Sequence, residues 1–195
     1  LKVQKRNPNR VNIYLDGEFA FGLSRLVAAW LKVGQELGDE KIAALQRQDT
    51  IEAAFLRALR YLSYRPRSAA EVEKKLTDSG TSPEVVERVM EQLREKGYVN
   101  DAEFARQWVE NRSVFRPRAH RALAIELRKK GVDGEAIQAA LQEAGDEVEL
   151  ARAAARKYLR RLTKEDRDGF TRRLSGYLAR RGFSYPVCAA VIREL

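Results

Sequence analysis

The chain spells the same helix ending three times: LTDSG at 76–80, LRKKG at 127–131 and LARRG at 178–182. Each step is 51 residues. In each, a Leu four places before a Gly fits the last buried position of a helix followed by a left-handed stop, a conformation glycine enters without steric cost. The register carries outward in both directions. Val86, Ile137 and Cys188 coincide, as do Met90, Leu141 and Ile192, and then Leu93, Ala144 and Leu195. Upstream, Arg65-Pro66-Arg67 lies over Arg116-Pro117-Arg118, with Arg167 in the third copy. A constant spacing of helix stops and core positions marks tandem copies of one supersecondary unit. Each copy reads as three helices: a long first, a short second that ends at the Gly, and a third after a short turn. Neighbours are expected to stack, because one copy alone can scarcely bury its apolar faces.

Helix punctuation supports that reading. Thr50 to Tyr64 places Ile51, Ala54, Phe55, Ala58, Leu59 and Leu62 on one stripe. Ser68 with Glu71 spells a capping box. Ser82 precedes Pro83, a residue suited to the first helical position because its missing N–H has no partner there anyway. Asn100 with Glu103 caps the next helix, whose Phe104 and Trp108 stand four apart and read as core. The body is therefore predicted all-helical from about residue 40.

The first 23 residues read differently. Val11, Ile13 and Leu15 alternate with Asn12, Tyr14 and Asp16, and Phe19, Phe21 and Leu23 alternate again after Asp16-Gly17. An Asp-Gly pair between two alternating runs predicts a hairpin with positive φ at both turn positions. Lys2–Arg6 is expected as a third strand. A lone hairpin is marginal in water, so it should lean on a following helix that starts at Ser24, stops at Gly34 and carries Leu26, Val27, Trp30 and Leu31. Phe19 and Phe21 are expected to anchor the hairpin to Trp30. The fold class is thus mostly α: an elongated array of three three-helix repeats behind a small β-hairpin or meander and a short helix. The boundaries read as 1–38, 39–98, 99–148 and 149–195.

Composition and charge narrow the function. The 195 residues carry 37 Lys and Arg against 28 Asp and Glu, a net charge of +9. The distribution is uneven: residues 112–131 and 150–195 are strongly basic, while 68–111 and 132–149 are acidic. Clustered Arg favours a polyanionic or nucleoprotein partner. No apolar run approaches the roughly 18 residues of a membrane span, and LKVQKRNPNR lacks the apolar segment of a signal peptide. One cysteine leaves no disulfide framework and no cysteine zinc site. A reducing cytoplasm is expected.

Catalytic readings fail on residue types. No GxGxxG or Walker phosphate loop exists. His120, the single histidine, has no GxSxG to serve and reads as a surface residue. Cys188 shares a register with Val86 and Ile137, so it reads as a small buried hydrophobe. The acidic residues Asp133, Glu135, Glu143, Asp146, Glu147 and Glu149 lack calcium-loop spacing and fit a solvated helix face. No catalytic residue, metal or cofactor is expected.

The stretches ALRYLSYRPRSAAEVEKKL (58–76), GYVNDAEFARQWVENR (97–112) and IELRKKGV (125–132) resemble the RecX family of bacterial regulatory proteins. VNIYLDGEFAFGLS followed by LKVGQEL resembles the β-hairpin extension of a subset of that family. The resemblance covers essentially the whole chain; the third copy departs most, with no Pro after Arg167 and more Arg. What it implies is regulation without catalysis. Such proteins bind RecA recombinase on single-stranded DNA and depress its ATPase and strand exchange, in DNA repair, recombination and the SOS response. The array is expected to curve along the groove of the helical filament. Double-stranded DNA is a further candidate ligand. The even charge over the helices offers no coiled-coil seam, so a monomer is expected. The alternative is a stand-alone helical-repeat module that binds DNA without sequence preference.

The candidate contact residues are cationic. Arg65, Arg67, Arg116, Arg118 and Arg167 stand between first and second helices. Arg128, Lys129 and Lys130, with Arg180 and Arg181, end the second helices, as Lys74 and Lys75 do in the first copy. Two readings stand for these: favourable placement at helix C-termini, or contact with phosphates and acidic protein faces. The dipole does not account for Arg156, Lys157, Arg160, Arg161, Arg172 and Arg173, so the last copy is expected to make the strongest contact. Tyr61 and Tyr64 flank a loop where a base could stack.

Overall fold

The computed structural model describes residues 1–159 and 167–195. By packing they fall into two units, Leu1–Pro66 with Val72–Val99, and Arg67–Glu71 with Asn100–Leu195.

The first unit opens with β1 (Lys2–Val3), β2 (Arg10–Leu15) and β3 (Glu18–Ser24), an antiparallel sheet in that order. Asp16 and Gly17 have φ of 48° and 91°, the turn that the Asp-Gly pair predicts. The predicted alternation fails at one place. Ile13 pairs with Phe21 but Tyr14 pairs with Phe19, which leaves Ala20 as an extra residue. This bulge turns Phe19 to the outer face, where it meets Tyr14 edge-on at 6.0 Å between ring centroids. Phe21 stays inside with Ile13 and Leu23, against Val27, Ala28 and Leu45.

The expected helix after Ser24 is one turn, α1 (Arg25–Ala28), capped by the Ser24 hydroxyl at 3.2 Å from the Val27 nitrogen. Trp30 therefore leaves the sheet and is 90% exposed; it does not anchor the hairpin. The sheet is instead tied to α2 (Asp39–Leu62) through Asp49. Its carboxylate accepts from the Ser24 N–H at 2.6 Å and from Arg10 at 2.8 Å. α2 begins well before Thr50, because residues 39–49 continue it without a break. It buries Leu45, Ala54 and Ala58.

The other helices are α3 (Ala69–Asp78), α4 (Pro83–Glu95), α5 (Asp101–Phe115), α6 (His120–Lys129), α7 (Gly134–Gln142), α8 (Glu147–Leu159), α9 (Arg167–Arg180) and α10 (Tyr185–Arg193). The 51-residue step is written in their hydrogen bonds. Helices α3, α6 and α9 end at Asp78, Lys129 and Arg180, one step apart. Gly80, Gly131 and Gly182 have φ of 76°, 76° and 92°. In each copy the N–H after the glycine returns to the Leu carbonyl: Thr81 to Leu76, Val132 to Leu127, Phe183 to Leu178. Val72, Leu123 and Leu174 coincide and are fully buried, as are Leu76, Leu127 and Leu178. Val86, Ile137 and Cys188 are buried together; burial pushes the Cys188 thiol pKa up. The register loosens toward its end: Met90 is buried but Leu141 and Ile192 are half-buried, and Leu93 is buried, Ala144 half-buried and Leu195 exposed.

Within the second unit a junction recurs at the same step. Ser68 is fully buried and its hydroxyl donates to the Lys130 carbonyl at 2.6 Å. One copy on, the Ala119 N–H donates to the Arg181 carbonyl at 3.1 Å. The next N–H is met by an acid from the following first helix, Ala69 by Asp101 at 2.8 Å and His120 by Glu147 at 2.9 Å. Ser68 and Glu71 also close the predicted capping box. His120 is accordingly half-buried rather than a surface residue, because its helix start lies inside this junction.

Candidate functional site

The second unit holds a cleft of about 350 Å³ lined by Phe115, Arg116, Arg118, Lys157, Tyr158, Tyr177 and Arg181. Four of the seven residues are cations and none is acidic. Three sequence features build it. The α5 helix ends at Phe115 because Pro117 follows and disfavours helical φ/ψ at Arg116, whose φ and ψ are −144° and 65°. The last turn of α8 carries Lys157 and Tyr158. Tyr177 and Arg181 stand four apart on the course of α9, so the guanidinium folds back over the ring, 4.6 Å from its centroid.

The Tyr158 and Tyr177 rings stack at 4.1 Å with 14° between planes, which joins α8 to α9. Arg181 also donates to the Pro117 carbonyl at 2.9 Å. Lys157 donates to the carbonyls of Val114 and Phe115, the latter at 3.2 Å, and so meets the negative end of α5. These bonds fix Lys157 and Arg181 without neutralising them. Among the described residues, Arg118 alone of the four has an acid, Glu126, at 2.8 Å. Arg116 is exposed and forms no ion pair among the described residues. Cations held this close by neutral carbonyls leave an uncompensated positive potential, which suits an anionic ligand.

Behind the cleft, Glu126 acts as a hub. It accepts from the Trp108 indole at 2.9 Å and pairs with Arg112 at 3.0 Å as well as with Arg118. Lys130 pairs with Glu71 at 2.9 Å and lies 4.6 Å from the Trp108 ring centroid. Trp108 is therefore half-buried under cations, whereas Phe104 is core as expected.

Of the sequence-derived cations, Arg116, Arg118, Lys157 and Arg181 come together here. Arg128, Lys129 and Arg180 are exposed on the last turns of α6 and α9, and Arg156 on that of α8. Arg167, Arg172 and Arg173 are exposed along α9. Arg65 is exposed and donates to the Pro66 carbonyl at 3.1 Å, while Arg67 is half-buried. Arg160 and Arg161 lie outside the described residues. The sequence reading missed Phe115, Tyr158, Tyr177 and Glu126. Tyr177 carried a signal in its four-residue spacing to Arg181, and Glu126 in being the single acid within the basic stretch 112–131. Among the described residues, no helix is long and apolar enough to cross a membrane, and no group of His, Cys, Asp and Glu could hold a metal ion.

Four family models match along the chain. They are the regulatory protein RecX N-terminal domain over residues 1–38, and the first, second and third RecX three-helix domains over 54–93, 100–141 and 145–192. The chain is 36% identical, over its whole length and 75% of the relative's, to the regulatory protein RecX of Bacillus subtilis strain 168. It is 42% identical to that of Mycobacterium sp. strain JLS, over 72% of this chain and 80% of the relative. A crystal structure of regulatory protein RecX superposes with a TM-score of 0.78 at 30% identity, over 97% of this chain and 95% of that one. RecX from Lactobacillus salivarius matches with a TM-score of 0.66 at 27% identity, over 76% and 97%. With its sheet, its three glycine-stopped helical domains and these relatives together, the chain belongs to the RecX family of regulatory proteins.

Proposed function

We propose that this protein binds the RecA filament on single-stranded DNA and depresses its ATPase and strand exchange without chemistry of its own. The observation that carries the reading is the cleft of Arg116, Arg118, Lys157 and Arg181, four cations with one opposing carboxylate among the described residues, in a chain of a regulatory family. Such a surface attracts phosphates and acidic protein faces through long-range potential. Of the four proposed divisions, 1–38, 39–98, 99–148 and 149–195, the last three supply copies in register, and linked weak contacts to a repeating polymer multiply through effective concentration. The protein acts as a cytoplasmic monomer in this reading.

The test is recombinase ATP turnover on single-stranded DNA with this protein titrated in. Turnover is expected to fall at amounts well below one per recombinase subunit. Unchanged turnover at equimolar protein overturns the reading. The alternative, a stand-alone DNA-binding module, rests on the same cleft. It requires tight binding to bare strands, and an effect on turnover only when the DNA itself is saturated.

A further inference from the structure

We propose that the loops Tyr64-Arg65-Pro66-Arg67 and Phe115-Arg116-Pro117-Arg118 each grip one unpaired nucleotide, the aromatic ring stacking on the base and the following arginine holding its phosphate. The proposal rests on the nucleoprotein reading above for its setting, but it is tested on protein and strand alone. Tyr64 and Phe115 are one 51-residue step apart, and each directly precedes Arg-Pro-Arg. Both rings are thrown into solvent, Tyr64 at 76% and Phe115 at 67% exposure. A single exposed aromatic is ordinary on a protein surface; what singles these two out is their recurrence at the same sequence position before Arg-Pro-Arg in two copies.

The backbone explains the presentation. Phe115 is the last residue of α5 and Tyr64 stands two residues past the end of α2; Pro117 and Pro66, two residues further on, keep the chain from continuing as helix, so each ring stands at or just beyond a helix end instead of packing along a helix face. At Phe115 the surroundings are those a nucleotide needs. The ring lines the 350 Å³ cleft beside Arg116, Lys157 and Arg181. A ring face for the base next to fixed cations for the phosphate is the pairing by which single strands are held without sequence preference. It also separates strands by type, since a paired base offers no free face to stack. The third copy has Asp166 at the equivalent sequence position and lacks Arg-Pro-Arg. Two such grips are therefore assigned, not three.

The experiment measures binding of labelled oligothymidylate, and of a strand of abasic sites of equal length, by fluorescence anisotropy. The proteins are the unaltered chain, Phe115→Ala, Tyr64→Ala and Arg116→Ala. The aromatic variants are expected to bind oligothymidylate roughly tenfold more weakly and the abasic strand unchanged. Arg116→Ala is expected to weaken both strands alike and to lower the salt slope by roughly 1. Circular dichroism melts unchanged from the parent show that each variant is folded, as the exposure of the side chains requires. Aromatic variants that bind both strands like the parent, or that lose both equally, overturn the proposal. Recombinase inhibition is scored separately: its loss with strand binding intact counts against the filament reading, not against the grips.

Discussion

At Gly131 two demands meet on one residue. Its φ of +76° is a left-handed conformation, and a Cβ built there would clash with the Cβ of Ala70 across the recurring junction. Gly80 has the same φ of +76° but open space around it. The pair separates backbone strain from close approach. Gly80→Ala is expected to cost about 1 kcal/mol, the conformational penalty alone. Gly131→Ala is expected to cost clearly more, because the junction that Ser68 closes on the Lys130 carbonyl must open to admit the methyl group. Urea titration of the two variants measures the difference; equal losses would mean that the junction gives way freely. The sequence displays both glycines identically, and only the packing distinguishes them.

At the scale of elements, the helices are joined by a few polar ties laid over apolar faces. Arg152 on α8 reaches Glu194, just past α10, through two bonds of 2.6 and 2.7 Å. The guanidinium holds the Glu194 carboxyl below its usual pKa, and the carboxylate raises the already high pKa of Arg152. For a carboxyl whose native pKa is lowered, the added stability is complete above the unfolded value of about 4.3 and is lost as pH falls through the native value. Arg152 stays charged throughout, so of these two partners only Glu194 titrates, and Glu149, which also pairs with Arg152, is the same in parent and variant. The melting temperature of Glu194→Gln is therefore expected to lie slightly below that of the parent at neutral pH and to converge with it in acid, below the usual glutamate range. Glu194 is exposed and Arg152 only half-buried, so the gap should also shrink in high salt. A gap that persists in acid would assign the tie to packing instead of charge. Glu126 plays the comparable part between α5 and α6, and its three partners explain why Arg118 is less available than Arg116.

Over the whole molecule, charge is sorted along the chain, and the C-terminal stretch 150–195 is the most basic. Arg172 and Arg173 lie exposed on α9. In the filament reading proposed above, reversing both to Glu is expected to weaken binding to the RecA–DNA filament and to flatten its salt dependence by roughly 1 to 2 in log–log slope. Equilibrium binding over a salt series reads both; unchanged affinity at moderate salt would place the contact elsewhere, with the cleft at Arg116 the next surface to alter. The repeat itself was legible without coordinates. Its marks are local: a helix stop needs its glycine, a cap needs its Ser or Asn, and a buried face needs its 3.6-residue spacing. The hairpin turn was legible for the same reason. The bulge at Ala20 was not, because a register slip depends on what lies across the strand. Nor was the exposure of Trp30, since an apolar residue counts as core until the helix meant to carry it proves one turn long.

The sequence by itself determined that three glycine-stopped helical copies follow a small sheet, since each stop, cap and turn is set by backbone preferences within a few residues. Only the tertiary structure decided which cations work together. Arg116, Arg118, Lys157 and Arg181 come from three helix ends distant along the chain, and Coulomb interaction falls with distance in space, not with separation in sequence.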